Sequence, residues 1–227
     1  QTDTWTVKPD LPSSIFAEPV YYSSVCAIKN EVYVLGGFQG RASSYLNPAE
    51  TLKVFNLASN SWDLRAKMPT ARGWMASVVL NNKIYAMGGL AKSGAESTFM
   101  SGQWYEAKDK ATTEEVLSVV EVYDPTTDTW TKKANMPTAR FAMSAAVVAG
   151  KIYILGGVAN NGEVLNTVEV YDPTTDTWTK KGNMPTARWA AIAVEIDDKI
   201  TVIGGSILSP KLSGQATLVE IYEPETD

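Results

Sequence analysis

Pairs of adjacent glycines recur along the chain, and each pair ends a short apolar run. The pairs are Gly36-Gly37, Gly88-Gly89, Gly156-Gly157 and Gly204-Gly205. Recurrence of this kind is the signature of a repeat architecture, in which each unit covers its apolar face with a neighbouring unit. The fold is therefore best derived from one repeat and from the way in which the repeats join.

The repeats share a fixed order of motifs. An apolar run precedes the glycine pair, a variable stretch follows it, and an aromatic residue then precedes a Thr-Trp pair. The aromatic residues are Phe55, Tyr123, Tyr171 and Tyr222, and the tryptophans are Trp5, Trp62, Trp130 and Trp178. Residues 120–140 and 168–188 are identical except that Ala134 corresponds to Gly182. Because one block serves two places, most of it must encode scaffold.

This ordered combination of Gly-Gly, Tyr and Trp resembles the kelch repeat, a four-stranded blade of a β-propeller, over almost the whole chain. In the third repeat, strands a to d are predicted at residues 142–148, 151–155, 167–171 and 177–181. Each segment is short, rich in Val, Ile, Tyr and Thr, and bounded by turn residues. The resemblance implies that the repeated Tyr and Trp side chains pack between blades as core.

The two ends of the sequence correspond to complementary parts of one repeat. Residues 222–227 match 123–128, and residues 2–5 match 127–130. We therefore predict an all-β propeller of four kelch-type blades, in which an N-terminal strand d pairs with C-terminal strands a–c and closes the ring. The predicted blades are 20–65, 72–133, 140–181, and 188–227 with 2–8. Kelch propellers usually have more blades, so a piece of a larger ring is the alternative.

Composition excludes several classes of function. The net charge of −5 argues against nucleic acid as a partner, and no apolar run is long enough to span a membrane. The absence of histidine excludes Ser-His-Asp and Cys-His nucleophiles and imidazole metal sites, so we expect no metal and no cofactor. Cys26 is the only cysteine and has no partner for an intrachain disulfide. A mature N-terminus at Gln1 would favour a secreted or cell-surface location.

An arginine recurs sixteen residues before three of the glycine pairs, at Arg72, Arg140 and Arg188, and Val20 takes the fourth position. Arginines at matching positions line the pocket of the kelch adaptors of ubiquitin ligases, so the resemblance implies a cationic rim for a carboxylate or an acidic peptide. The alternative is that each arginine pairs with a carboxylate or carbonyl of a neighbouring blade. Both interpretations remain open at the level of sequence.

Aromatic residues follow the arginine positions and differ between repeats. They are Tyr21, Tyr22, Trp74, Phe141 and Trp189. Such rings suit a peptide or glycan ligand, and core packing between inner strands is the competing interpretation. The second repeat also carries about twenty extra residues between positions 90 and 116, because its glycine pairs are 68 residues apart where the next are 48 apart. We predict that this insertion, which includes Trp104 and Tyr105, is a lid or a partner-binding arm.

The leading functional prediction is a non-catalytic recognition module that binds a protein segment or a glycan at the loop face around the axis. The predicted ligand-binding residues are Arg72, Arg140, Arg188, Tyr21, Tyr22, Trp74, Phe141, Trp189, Trp104 and Tyr105. The alternative is an enzyme acting on an acidic sugar or small carboxylate, similar to kelch-like sialic acid mutarotases, with Glu18 or Glu106 moving protons. The ring could also act only as a spacer between other domains. The repeated Glu121, Glu169 and Glu220 are expected to form hydrogen bonds between blades.

Overall fold

The computed structural model describes residues 3–10, 20–39, 47–91, 115–207 and 217–224, together with the backbone of 99–100 and 103–104. Strands and turns dominate these residues, and no helix occurs among them. The prediction of an all-β fold is therefore confirmed.

The strands follow the repeats of the sequence. The first repeat contributes β1 (Val20–Tyr21), β2 (Ser24–Ile28), β3 (Glu31–Leu35), β4 (Phe38–Gln39), β5 (Asn47–Pro48), β6 (Leu52–Asn56) and β7 (Ser61–Arg65). The second contributes β8 (Ala76–Leu80), β9 (Lys83–Met87), β10 (Phe99–Met100), β11 (Gln103–Trp104), β12 (Val120–Asp124) and β13 (Thr129–Lys133). The third contributes β14 (Arg140–Phe141), β15 (Ser144–Val148), β16 (Lys151–Leu155), β17 (Val158–Ala159), β18 (Val168–Asp172) and β19 (Thr177–Lys181). The fourth contributes β20 (Ile192–Ile196), β21 (Lys199–Ile203) and β22 (Val219–Tyr222).

Each repeat forms one antiparallel sheet, which we call blades 1 to 4 in chain order. Blades 1 to 3 have four strands in the orders β2-β3-β6-β7, β8-β9-β12-β13 and β15-β16-β18-β19. Blade 4 has three strands, β20-β21-β22, among the described residues. The inner strands β2, β8, β15 and β20 contact one another in that order. The sheets are therefore arranged side by side around a common axis, as in a propeller.

The seams between blades are filled from alternating strand positions, because successive side chains of a strand point to opposite faces. We call the side of a blade that faces the next one its forward face and the other side its backward face. At the first seam, Tyr33 on the forward face of blade 1 packs against Ile84 and Tyr123 on the backward face of blade 2. The Tyr33 and Tyr123 ring centroids are 6.1 Å apart, and the next two seams repeat this contact at 6.2 and 5.9 Å.

The repeated tryptophans tie each blade to the connection that precedes it. Trp130 Nε1 donates to the Ala66 carbonyl at 2.8 Å, and Trp178 makes the same bond to Ala134 at 2.9 Å. Asp128 accepts from the Ala66 N–H and the Tyr123 hydroxyl, and these two donors lower its pKa. The Trp, Tyr and Asp of the duplicated block are thus structural, as the resemblance implied.

The glycine pairs allow the backbones of neighbouring repeats to approach closely. A Cβ at Gly156, where φ is +63°, would lie 2.3 Å from the Arg188 carbonyl oxygen. The adjacent Gly157 N–H donates to that same oxygen at 2.9 Å. A side chain at the first glycine would therefore break the hydrogen bond of the second, which explains why both positions are glycine.

The predicted closure of the ring by an N-terminal strand is not formed in this structure. Residues 3–10 contain no strand, and the Trp5 and Val7 side chains are 102% and 94% exposed. Ile192 and Ile221 on the forward face of blade 4 are 65% and 62% exposed, so no blade covers that face. The described sheets form an open arc.

The reason for the open arc lies in seam geometry. Pro9 accepts a hydrogen bond from Trp62 Nε1 at 3.2 Å, which holds the N-terminal segment beside blade 1. The complementary ends of the sequence show which strands match, whereas closure depends on the angle between neighbouring blades. That angle follows from the packing of side chains across each seam and is not encoded in the repeat pattern.

Replacing Gly156 by Ala is expected to lower the free energy of unfolding by at least about 2 kcal/mol, because of the left-handed backbone and the contact with the Arg188 carbonyl. Gly182→Ala is the matched control, since a Cβ there would meet nothing within 4 Å and Ala134 occupies the equivalent position. Chemical denaturation of both variants measures the difference. Equal stability of the two variants would contradict this role of the glycine pair.

Candidate functional site

The end of the arc that carries the glycine pairs also carries the connections into the inner strands, and we call it the loop face. Short sheets cover it, formed by β1-β4-β5 and by β14-β17. Bridges between Gly73 and Leu90 and between Trp189 and Ser206 occupy the corresponding places in blades 2 and 4.

A chain of backbone hydrogen bonds links the blades where they enter their inner strands. Tyr22, Trp74, Ala142 and Ala190 occupy equivalent positions, and all have a left-handed φ between 51° and 56°. The N–H of each of the last three donates to the carbonyl of the residue before it in this series, at 3.1, 2.9 and 2.7 Å. A left-handed φ is uncommon for bulky residues, so the surrounding structure must hold Tyr22 and Trp74 in place.

Three aromatic side chains lie together on the loop face, and we call Tyr21, Tyr22 and Trp74 the aromatic patch. The Tyr22 and Trp74 rings are stacked, with centroids 4.1 Å apart and an interplanar angle of 18°. Tyr21 is 37% exposed and its centroid lies 6.4 Å from that of Tyr22. Tyr22 and Trp74 are half-buried. The patch thus offers ring surface to solvent at the junction of blades 1 and 2.

The aromatic patch rests on a buried apolar cluster. Phe38, Leu90, Phe141, Val158 and Trp189 belong to it, and each is at most 6% exposed. Phe141 and Trp189 were predicted to bind ligand, and this prediction is wrong for the structure as it stands because their side chains lie beneath the surface. For these two residues the competing interpretation, core packing, is the one that the structure supports. Their contribution is to hold Trp74, whose ring meets the edge of Trp189 with centroids 6.2 Å apart.

The arginine rim is also corrected by the structure. Arg72, Arg140 and Arg188 are at most 1% exposed. Their guanidinium nitrogens lie 2.8, 2.9 and 2.9 Å from carboxylate oxygens of Glu121, Glu169 and Glu220 respectively. These groups cannot reach a ligand on the loop face, so the alternative of pairing within the scaffold is correct.

Further hydrogen bonds complete these pairs. Arg140 Nη1 donates to the Gly156 carbonyl at 3.0 Å, and Thr138 Oγ1 donates to Glu169 at 2.6 Å. Burial lowers the pKa of Arg140, while Glu169 opposes that change. The expected hydrogen-bonding role of the repeated glutamates is therefore seen in the structure, at the junctions between blades.

Blade 1 departs from this pattern in a way that sequence reasoning missed. Lys53 takes the position of the paired glutamates, and Val20 takes the position of the arginines. The Lys53 side chain is fully buried, and burial lowers its pKa to about 8. The signal in the sequence was a lysine where the other repeats have glutamate. The backward face of blade 1 is thus chemically different from those of blades 2 to 4.

Several predicted residues lie outside the described part of the chain. Glu18, Glu106 and Tyr105 are among them, and only the backbone of Trp104 is described, in a hairpin of β10 and β11. The lid at positions 90–116 remains a prediction. The described residues include no group of three or more Cys, Asp or Glu side chains that could hold a metal ion. A membrane-spanning helix is likewise absent from the described part.

A polar groove of about 330 Å³ lies between blades 2 and 3, at the end of the arc opposite the loop face. Its lining includes Lys83 and Asp124, whose charged groups are 2.9 Å apart, and several threonines of β13 and the preceding turn. Most of that lining comes from the duplicated block, so nothing distinguishes this groove from scaffold. The aromatic patch, which breaks the repeat, is the stronger candidate site.

Comparison with known proteins identifies the repeat. The family model described as the KLHDC2/KLHL20/DRC7 Kelch-repeats domain matches residues 1–205. Kelch-like protein terF of Aspergillus terreus is 30% identical over 158 residues, which are 69% of this chain and 29% of that protein. Kelch-like protein 36 of Rattus norvegicus is 30% identical over 159 residues, which are 69% of this chain and 22% of that protein. This chain thus spans less than a third of the length of these curated relatives.

The fold comparison agrees with the sequence comparison. The solved structure titled "Structure of YjhT" matches with a TM-score of 0.66 at 19% identity, over 89% of this chain and 61% of that one. At this identity the likeness shows the fold alone.

Arg140→Met is expected to lower the free energy of unfolding by about 3–5 kcal/mol, because it leaves the Glu169 carboxylate buried without its counter-charge. The double variant Arg140→Met/Glu169→Leu should lose much less than the sum of the two single variants. Lys67→Met is the control, since its pair with Glu50 is exposed and should contribute at most about 1 kcal/mol. Wild-type stability of Arg140→Met would show that the pair is not structural.

Proposed function

The chain belongs to the kelch-repeat family, and we propose that it is a non-catalytic recognition module that binds a protein segment at the aromatic patch. The observation that supports this proposal is the stacked pair of Tyr22 and Trp74, which is half-buried at the loop face with Tyr21 beside it. Aromatic residues of this kind are enriched at protein interfaces, where they contribute large apolar contacts at a small cost in side-chain entropy.

Rigid support makes the aromatic patch suitable for binding. The Trp74 N–H donates to the Tyr22 carbonyl at 3.1 Å, and the Trp74 carbonyl accepts from Ala142 at 2.9 Å. Both backbones are therefore fixed before a ligand arrives, so little ordering would accompany binding. Ala142 and Ala190 at the equivalent positions of blades 3 and 4 have small side chains, which leaves space beside the rings.

The chemistry of the patch favours an apolar or aromatic side chain of a protein segment over an acidic group. The three guanidinium groups that could have selected a carboxylate are buried in ion pairs with glutamates. The patch itself carries only phenol and indole groups as polar atoms. A ligand would therefore be recognised mainly through burial of apolar surface against the rings.

The alternative of an enzyme acting on an acidic sugar has no specific observation in its favour. That mechanism needed an arginine to hold the substrate carboxylate, and Arg72, Arg140 and Arg188 are each at most 1% exposed. We therefore carry forward recognition as the single proposed function.

Trp74→Ala is expected to weaken binding of a selected peptide at least about tenfold, because it removes half of the stacked pair. A displayed peptide library and a glycan array, both screened with the wild-type chain, provide the ligands, and titration calorimetry gives the dissociation constants. Leu64→Ala is the matched control, because Leu64 is an apolar residue 55% exposed on β7, outside the loop face.

The proposal is supported if Trp74→Ala loses binding while its thermal unfolding and that of Leu64→Ala stay close to wild type. A glycan ligand that depends on Trp74 would keep the site and overturn the protein-segment assignment. Peptide binding that survives both Trp74→Ala and Tyr21→Ala would overturn the site.

A further inference from the structure

The forward face of blade 4 is an apolar surface that no element of the described structure covers. Its residues form two cross-strand rows, Ile192-Ile203-Val219 and Val194-Thr201-Ile221. The aliphatic members are between 37% and 65% exposed. The same positions of blade 3, where blade 4 covers them, are at most 6% exposed. Isolated surface apolar residues are ordinary, but a contiguous patch of this kind marks an interaction surface.

The backward face of blade 1 is the complementary surface. Its positions on strands a and b are held by Val25, Ala27, Val32 and Val34, all exposed or half-buried. In blades 2 to 4 the matching strand b residues are at most 1% exposed, because the preceding blade covers them. The three internal seams therefore show what fits the forward face of blade 4, namely the backward face of a kelch blade.

A strand is also missing from blade 4, and its match lies at the N-terminus. Blades 1 to 3 each have an outer strand that places a Trp opposite the strand c aromatic, with ring centroids 5.0–5.2 Å apart. Blade 4 ends at β22 among the described residues. The segment Thr4-Trp5-Thr6-Val7-Lys8 matches β13 and β19 at every position except Val7, and Trp5 is fully exposed.

We propose that a second copy of this chain covers the forward face of blade 4, with its backward face of blade 1 against the two apolar rows and its residues 4–8 added to β22. The register of the internal blades, in which Tyr171 is opposite Trp178 and Val170 opposite Thr179, places Trp5 opposite Tyr222 and Thr6 opposite Ile221. Addition of a strand to a sheet edge provides main-chain hydrogen bonds, and the rows provide burial of apolar surface.

A second copy, and not the chain's own N-terminus, is the occupant because of where that N-terminus lies. Pro9 is bonded to Trp62 of blade 1, so residues 4–8 project from the blade 1 end of the arc, while β22 lies at the other end. The two surfaces are different patches of one molecule, so their contact is head-to-tail. Such a contact either closes into a ring of copies or continues as an open series.

The junction between copies would differ chemically from the internal seams. Val20 and Lys53 replace the arginine and glutamate of the internal pairs, so the second copy brings no buried Arg–Glu pair to this junction. The association would depend on apolar rows and strand pairing, and it should therefore change little with salt.

Sedimentation velocity of the 227-residue chain over a range of concentrations tests the proposal. The wild-type chain should associate into species of at least twice the monomer mass. Thr6→Pro should weaken association at least about tenfold, because proline removes a donor from the strand ladder and does not fit its interior. Leu64→Ala, an exposed residue on β7, should associate like wild type.

Cross-linking between copies tests the register. In a Cys26→Ser background, a Thr6→Cys chain is mixed with an Ile221→Cys chain in a glutathione buffer, so any disulfide must join two molecules. The mixed cross-link should exceed that of Thr6→Cys with Leu64→Cys at least about tenfold, since opposed residues of paired strands lie within reach of a disulfide. A wild-type chain that stays monomeric at all concentrations, or equal cross-linking in both mixtures, would overturn the proposal.

Discussion

Each internal seam of this protein depends on a buried arginine that bonds to the blades on both sides of it. The carbonyl of Arg140 accepts from Gly89 of blade 2, while its guanidinium binds Glu169 and the Gly156 carbonyl of blade 3. Arg72 and Arg188 do the same at the other seams. The backbone bond needs the glycine pair, and the ion pair needs strand c of the next blade. The arginine, the glycines and the glutamate are therefore parts of one junction, which explains why they recur together.

This junction decides where binding chemistry can be placed. Residues that recur with the arginine are committed to the scaffold, so a site must use positions where the repeats differ. Tyr22 and Trp74 occupy positions that are Ala142 and Ala190 in the other blades, and the backbone there is the same in all four. The repeat thus supplies a fixed left-handed backbone, and variation of one side chain on it creates the aromatic patch. The same logic marks the ends of the arc, where Val20 and Lys53 replace the bonded pair.

Much of the fold followed from the sequence, because periodic glycines and aromatics report directly on local backbone geometry and on packing within a repeat. The sequence also indicated that Glu121 and its equivalents are bonded between blades. It could not decide between ligand binding and pairing for Arg140, because burial of a side chain depends on the neighbouring blade. It likewise matched residues 2–8 to the missing strand of blade 4 without revealing the angle between blades. Phe141 and Trp189 were misplaced for the same reason, since an aromatic residue fits a surface patch and the core beneath it equally well.

The central claim is that a blade is stabilised by the seams on both of its sides, so blade 4, with one open face, should be the least protected. Amide hydrogen exchange, measured at a concentration where the chain is monomeric, tests this most directly. The account predicts that amides of β16 and β18, in a blade covered on both faces, exchange at least about tenfold more slowly than those of β21 and β22. Equal protection of blades 3 and 4 in the monomer would contradict it.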